Sequence, residues 1–114
     1  MITRNKGSQT LSSVVTHGNT AYLSGIVSAN KGDVAEQAKD ILVQLDALLA
    51  EAGSDRNKLL MANIWLADTA DFAAFNEVWL DWIPANALPA RATVGACLAG
   101  PEYRIEIAAI AAVG

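Results

Sequence analysis

The sequence predicts an α+β domain of order ββαβαββ, with two helices packed on one face of a sheet. Three observations predict it. Apolar residues recur at helical spacing in two stretches, one from Ala38 to Ala52 and one from Phe72 to Trp82. Short apolar and β-branched runs, bounded by Gly, Asn and Pro, precede, separate and follow those stretches. Finally, 53% of residues are hydrophobic and only 18% are charged, with a mean hydropathy of +0.27. One domain spanning residues 1–114 has limited interior for so many apolar side chains, so the sheet face left bare by the helices is expected to meet other copies of the chain.

Residues 1–10 are polar and read as a loose or edge segment. Leu11 to Thr16 and Thr20 to Val27 are β-rich runs separated by His17-Gly18-Asn19, a hairpin signal. Asp33 and Glu36 form a capping-box pair that opens the first helix, whose apolar face includes Ile41, Leu42, Leu45 and Leu49 and which stops at Gly53. Leu59 to Ala67 is a buried strand, and helix is the alternative for it. Asp68 and Asp71 are acidic N-terminal signals for a second helix that ends before Pro84. Ala90 to Leu98 and Tyr103 to Val113 are strands joined by a turn at Ala99-Gly100-Pro101-Glu102.

A net charge of −4 and a pI near 4.7, with scattered cations, exclude a partner held by phosphate neutralisation, so no nucleic acid is expected. One cysteine, Cys97, and one histidine, His17, allow neither an internal disulfide nor a soft-ligand metal site. The N-terminus lacks the apolar core of a signal peptide, and no apolar run is long enough to span a bilayer. A cytoplasmic protein is expected.

Two charges break the apolar sheet sequence. Arg91 opens one strand and Glu106 lies within the next, where an unpaired charge is costly. They are either a structural ion pair, within or between subunits, or the lining of a pocket.

The string Pro89-Ala90-Arg91-Ala92-Thr93-Val94, the turn with Pro101, and Ile105-Glu106-Ile107 resemble the signature of the Rid (reactive intermediate deaminase, or YjgF) family. Tyr22-Leu23-Ser24-Gly25, Ala52-Gly53, Ile64-Trp65-Leu66-Ala67-Asp68 and Asp71-Phe72-Ala73-Ala74-Phe75-Asn76 are similar to its other landmarks, so the resemblance runs from Leu11 to Val113. It implies a chorismate-mutase-like fold, a homotrimer with inward-facing sheets, and three clefts between subunits. It also implies cofactor-free hydrolysis of 2-imino acids and their enamine tautomers to 2-oxo acids and ammonia. By the same resemblance Arg91 binds the substrate carboxylate, Glu106 holds the attacking water, and Thr93, Asn76, Ser24 and Gly25 line the cleft. The residue types suit those roles. An Arg fork fixes the position and plane of a carboxylate, and a carboxylate is a fit acceptor for water attacking an electrophilic imine carbon.

Two departures qualify the resemblance: Leu11 falls where archetypal members have Tyr, and Gly95 replaces a common acidic residue. The N-terminus and the loop before Pro89 are also shorter, which places the chain on a side branch. The competing expectation is a trimer that binds a small carboxylate without turnover, as a sensor or regulatory subunit. Ribonuclease activity sits poorly with the acidic balance, and chorismate mutase activity would rest on fold likeness alone. Cys97 reads as a small buried hydrophobe, His17 as an exposed turn residue, Arg104 as solvent or rim, and Trp65, Trp79 and Trp82 as core or interface packing.

Overall fold

A computed structural model describes residues 1–114 as a six-stranded sheet with two helices on one face. Strands β1 (Ile2–Lys6), β2 (Ser12–His17) and β3 (Thr20–Ile26) form an antiparallel meander. Helix α1 (Val34–Glu51) leads to β4 (Leu59–Leu66), α2 (Phe72–Trp82) leads to β5 (Ala90–Gly95), and β6 (Ile105–Ala112) completes the chain. The spatial order is β1-β2-β3-β6-β4-β5. Strand β6 inserts between β3 and β4, antiparallel to both, while β4 and β5 are parallel, an arrangement that needs the crossover α2 provides.

The expected order gains one element. The first ten residues contain edge strand β1, in which Ile2 through Asn5 pair with His17 through Val14. Its pairing is through main-chain groups and its side chains are mostly exposed, so no apolar alternation announces it. At the other end both strands are shorter than expected. The chain leaves β5 at Gly95 and re-enters the sheet only at Ile105.

The helix starts follow local chemistry. The Asp33 carboxylate accepts from the Glu36 N–H at 2.9 Å, while the Glu36 side chain accepts from the Asp33 N–H at 3.4 Å, completing the expected capping box. Gly53, at φ +79°, ends that segment in the left-handed region. Asp68 caps a single 3-10 turn through the Ala70 N–H. Asp71 does not act as the expected cap. With ψ near 1° its carboxylate is turned away from the first α2 amides, and it accepts from Arg104 at 3.5 Å instead.

Ile105, Ile107, Ala109 and Ala111 of β6 are buried with Ala62, Ile64 and Leu66 of β4, beneath Ile41, Leu45, Leu49 and Phe75 of the helices. The alternate residues, among them Tyr22, Met61, Trp65, Glu106 and Ile110, occupy the opposite face, which no helix covers. The chain is thus a two-layer slab of 41 × 37 × 20 Å. Trp79 lies in the core, Trp82 is half-buried, and Trp65 is half-buried on the open face. No helix is long and apolar enough to cross a membrane.

One buried polar side chain sets the approach to β6. Gln37 of α1 donates to the carbonyls of Asn30 and Glu102, and accepts from the Arg104 N–H, each at 2.9 Å. It thereby ties the loops after β3 and before β6 to one point on the helix, two residues ahead of Glu106.

Candidate functional site

Arg91 is paired in register with Ala62, a core residue, so its side chain rises on the helix-covered side of edge strand β5. There the guanidinium carbon lies 5.7 Å from the Phe72 ring centroid, 5.5 Å from Phe75 and 5.7 Å from Trp79. No carboxylate is within ion-pair distance of it. Burial lowers the pKa of this arginine from its usual value, and because a guanidinium keeps its proton in proteins the group is a partly desolvated cation held among aromatic faces. Of the eight Lys and Arg residues, the other partly buried one, Arg56, is fully engaged with Asp46 and the Trp82 carbonyl.

Thr93 shares that face two residues along, paired with Ile64, and its hydroxyl is buried without a hydrogen-bond partner. Asn76 of α2 joins Arg91, Trp79, Leu80, Leu88 and Pro89 around a cleft of about 310 Å³. Three expected site residues therefore converge at the β5 edge.

The other three lie elsewhere. Glu106 pairs with Trp65 and points from the uncovered face, between Ile105 and Ile107, which are both buried beneath the helices. Its carboxylate occupies the space beside Gly25, where the β3–β6 register is interrupted between Leu23 and Ile26. A Cβ at position 25 would overlap the Glu106 carboxylate. Ser24 donates to the Ser12 carbonyl at 2.5 Å. Ser24 and Gly25 also line a cavity of about 540 Å³ that includes Leu11, Gln44 and Leu48.

Within one chain the six residues form two separate groups, Arg91–Thr93–Asn76 at the β5 edge and Ser24–Gly25–Glu106 where β3 meets β6, with Arg91 and Glu106 on opposite sides of the sheet. The intramolecular ion pair between Arg91 and Glu106 does not exist.

Phe72, Phe75 and Trp79 extend the list of residues that surround the site. Their spacing of three and four residues marks a buried helix face, which holds for Phe75 and Trp79. That an arginine from β5 enters the same face depends on the parallel β4–β5 pairing, which the spacing does not encode. Cys97, expected to be buried, is exposed in the loop after β5, because the strand ends two residues before it. His17 is exposed at the end of β2, just before the Gly18-Asn19 turn. No three His, Cys, Asp or Glu side chains gather at one point.

The family model described as Endoribonuclease L-PSP matches residues 1–113. The chain belongs to this family, also called the Rid/YjgF family. This Rid/YjgF chain is 44% identical over 102 residues to the RutC family protein YoaB of Escherichia coli, covering 90% of each chain. It is 33% identical over 102 residues to a protein named 3-aminoacrylate deaminase RutC from Acinetobacter baylyi, covering 83% of this chain and 80% of that one. A YjgF-family crystal structure from Neisseria meningitidis superposes with a TM-score of 0.97 at 41% identity, covering all of this chain and 96% of the other. The β6-centred sheet and its two helices are therefore the fold of this Rid/YjgF family.

Proposed function

We propose that this Rid/YjgF protein hydrolyses reactive 2-imino acids and their enamine tautomers to 2-oxo acids and ammonia, in clefts formed where copies of the chain meet. The observation that carries the reading is Arg91, a partly desolvated cation among aromatic rings with no carboxylate of its own, beside an open cleft. Such a group is costly to hold unpaired and is suited to a carboxylate ligand, which it grips with two parallel N–H donors. The relative named 3-aminoacrylate deaminase acts, by that name, on an enamine that carries a carboxylate.

In this reading the substrate carboxylate sits on Arg91, with Asn76 and the unpartnered Thr93 hydroxyl beside it. The Ser24–Gly25–Glu106 wall comes from a neighbouring copy, because within one chain Glu106 points from the opposite face and β4 separates its strand from that of Arg91. Glu106 accepts a proton as water adds to the imine carbon, giving a tetrahedral carbinolamine. It returns that proton to nitrogen, and as the C–N bond breaks the freed Glu106 carboxylate takes the hydroxyl proton, so that the carbonyl forms, ammonia leaves and the proton passes on to ammonia or solvent. An enamine first takes a proton at carbon to become the imine. The sequence is redox-neutral, and water is the only co-reactant. A homotrimer with sheets facing inward would cover the apolar open face and create three equivalent clefts.

The description of the family as an endoribonuclease is not carried over, because net charge −4 provides no cationic track for a phosphate backbone. A second reading keeps the same cleft as a binding site without turnover. Leu11 favours it, because it lines the cavity beside Ser24 and Gly25 and brings no hydroxyl there.

The test generates imines in situ with an amino-acid oxidase and lets semicarbazide compete with the protein. Faster 2-oxo acid formation, lost in Arg91→Ala, supports deamination. Equal trapping with and without protein overturns it, and Arg91-dependent binding of a 2-oxo acid in that case selects the second reading.

A further inference from the structure

The cleft beside Arg91 has a chemical character that the carboxylate anchor alone does not explain. A ligand forked on the guanidinium has, for the substituent on its second carbon, the adjoining space of about 310 Å³. That space is walled by Trp79, Leu80, Leu88 and Pro89, with Asn76 as its polar contact apart from Arg91 itself. Leu80 and Leu88 are 67% and 61% exposed, although neither supports the core. They come from different elements, α2 and the loop before β5, and meet only at this cleft. No Lys, Asp or Glu lines it, so a charged substituent would find no partner there, and a methyl group would leave most of the leucine surface in water.

Resting on the deaminase reading for the carboxylate anchor, we propose that this wall is a side-chain pocket, and that the protein selects 2-imino and 2-oxo acids with large apolar substituents, branched aliphatic or aromatic. Leu80 and Leu88 set that selectivity and Trp79 forms the floor.

Binding and turnover are measured separately. Calorimetric titration compares 4-methyl-2-oxopentanoate and phenylpyruvate with pyruvate and 2-oxoglutarate on the full chain. The two apolar acids are expected to bind at least about 10-fold tighter than pyruvate, since one methylene in an apolar pocket is worth roughly that factor. Leu80→Ser and Leu88→Ser, both at exposed positions, should each reduce the ratio of 4-methyl-2-oxopentanoate to pyruvate affinity several-fold, and Arg91→Ala should abolish binding of all four. A ratio near one, a preference for 2-oxoglutarate, absence of binding, or a ratio unaltered in both leucine variants overturns the proposal. So does breakdown of the assembly in those variants, seen by light scattering, because it would assign the leucines to contacts between copies. Failure of the deaminase reading gives a different signature, selective binding without imine turnover, and leaves the pocket assignment standing.

Discussion

Arg91 and Glu106 stand on opposite faces of one sheet, with strand β4 between their strands: Arg91 is in register with buried Ala62, and Glu106 with Trp65 on the open side. No rotamer brings the two groups together within a chain, so a site that uses both takes them from different copies.

That arrangement predicts complementation. Arg91→Ala and Glu106→Gln should each lower the proposed deaminase activity by about 10²-fold or more. Mixed assemblies made by co-expression should regain activity, because in the proposed trimer about one cleft in three then combines an intact Arg91 with an intact Glu106. Mixtures as inactive as the single variants would exclude a shared site.

Gly25→Ala should impair activity much more than stability. Gly25 is not among the residues at positive φ, so its backbone accepts a side chain. The atoms nearest the new methyl all belong to the movable Glu106 side chain, which it pushes aside. A shift of about 1 Å in a reacting group can cost 10²-fold. Urea unfolding should move by less than about 1 kcal/mol, within the usual range for substitutions outside the core. The double variant with Glu106→Gln should be no worse than Glu106→Gln alone, because both act on one group. Additive losses would show that Gly25 contributes separately.

Gln37→Leu should destabilise the fold by about 2–4 kcal/mol, because the Asn30 and Glu102 carbonyls and the Arg104 N–H lose their partner in a buried place. Chemical denaturation gives the number. A cost below about 0.5 kcal/mol would mean that water replaces the side chain there.

Asp46→Ala should cost about 1 kcal/mol and less at high salt. Asp46 accepts two hydrogen bonds from Arg56 and one from the Trp82 indole N–H, tying α1 to the end of α2, but its side chain is 36% exposed and open to screening. A salt-independent loss would assign the effect to packing of Arg56 over Trp82, whose ring centroid lies 4.7 Å from the guanidinium carbon.

Much of the architecture was legible because it is written in local rules. The Asp33–Glu36 box, the stop at Gly53 and the apolar period of α1 act over a few residues and hold in the structure. The β1 strand was not legible, because edge pairing uses the main chain and leaves no side-chain pattern. Asp71 carried the sign of a helix cap, yet one turn of 3-10 helix rotated it toward Arg104. The charges at 91 and 106 stood out in an apolar background, which marked both as candidates.

By itself the sequence determined the α+β class, the two helices, the surplus of apolar surface and the family, because composition, periodicity and motif order are properties of the chain. Only the tertiary structure decided that β6 lies between β3 and β4, that β5 runs parallel at the edge, and that Arg91 enters the aromatic face of α2 while Glu106 settles beside Gly25. Side chains alternate across a strand, so the face a charge occupies depends on the register of strands distant in sequence, and that register is set by burying the apolar side of the sheet.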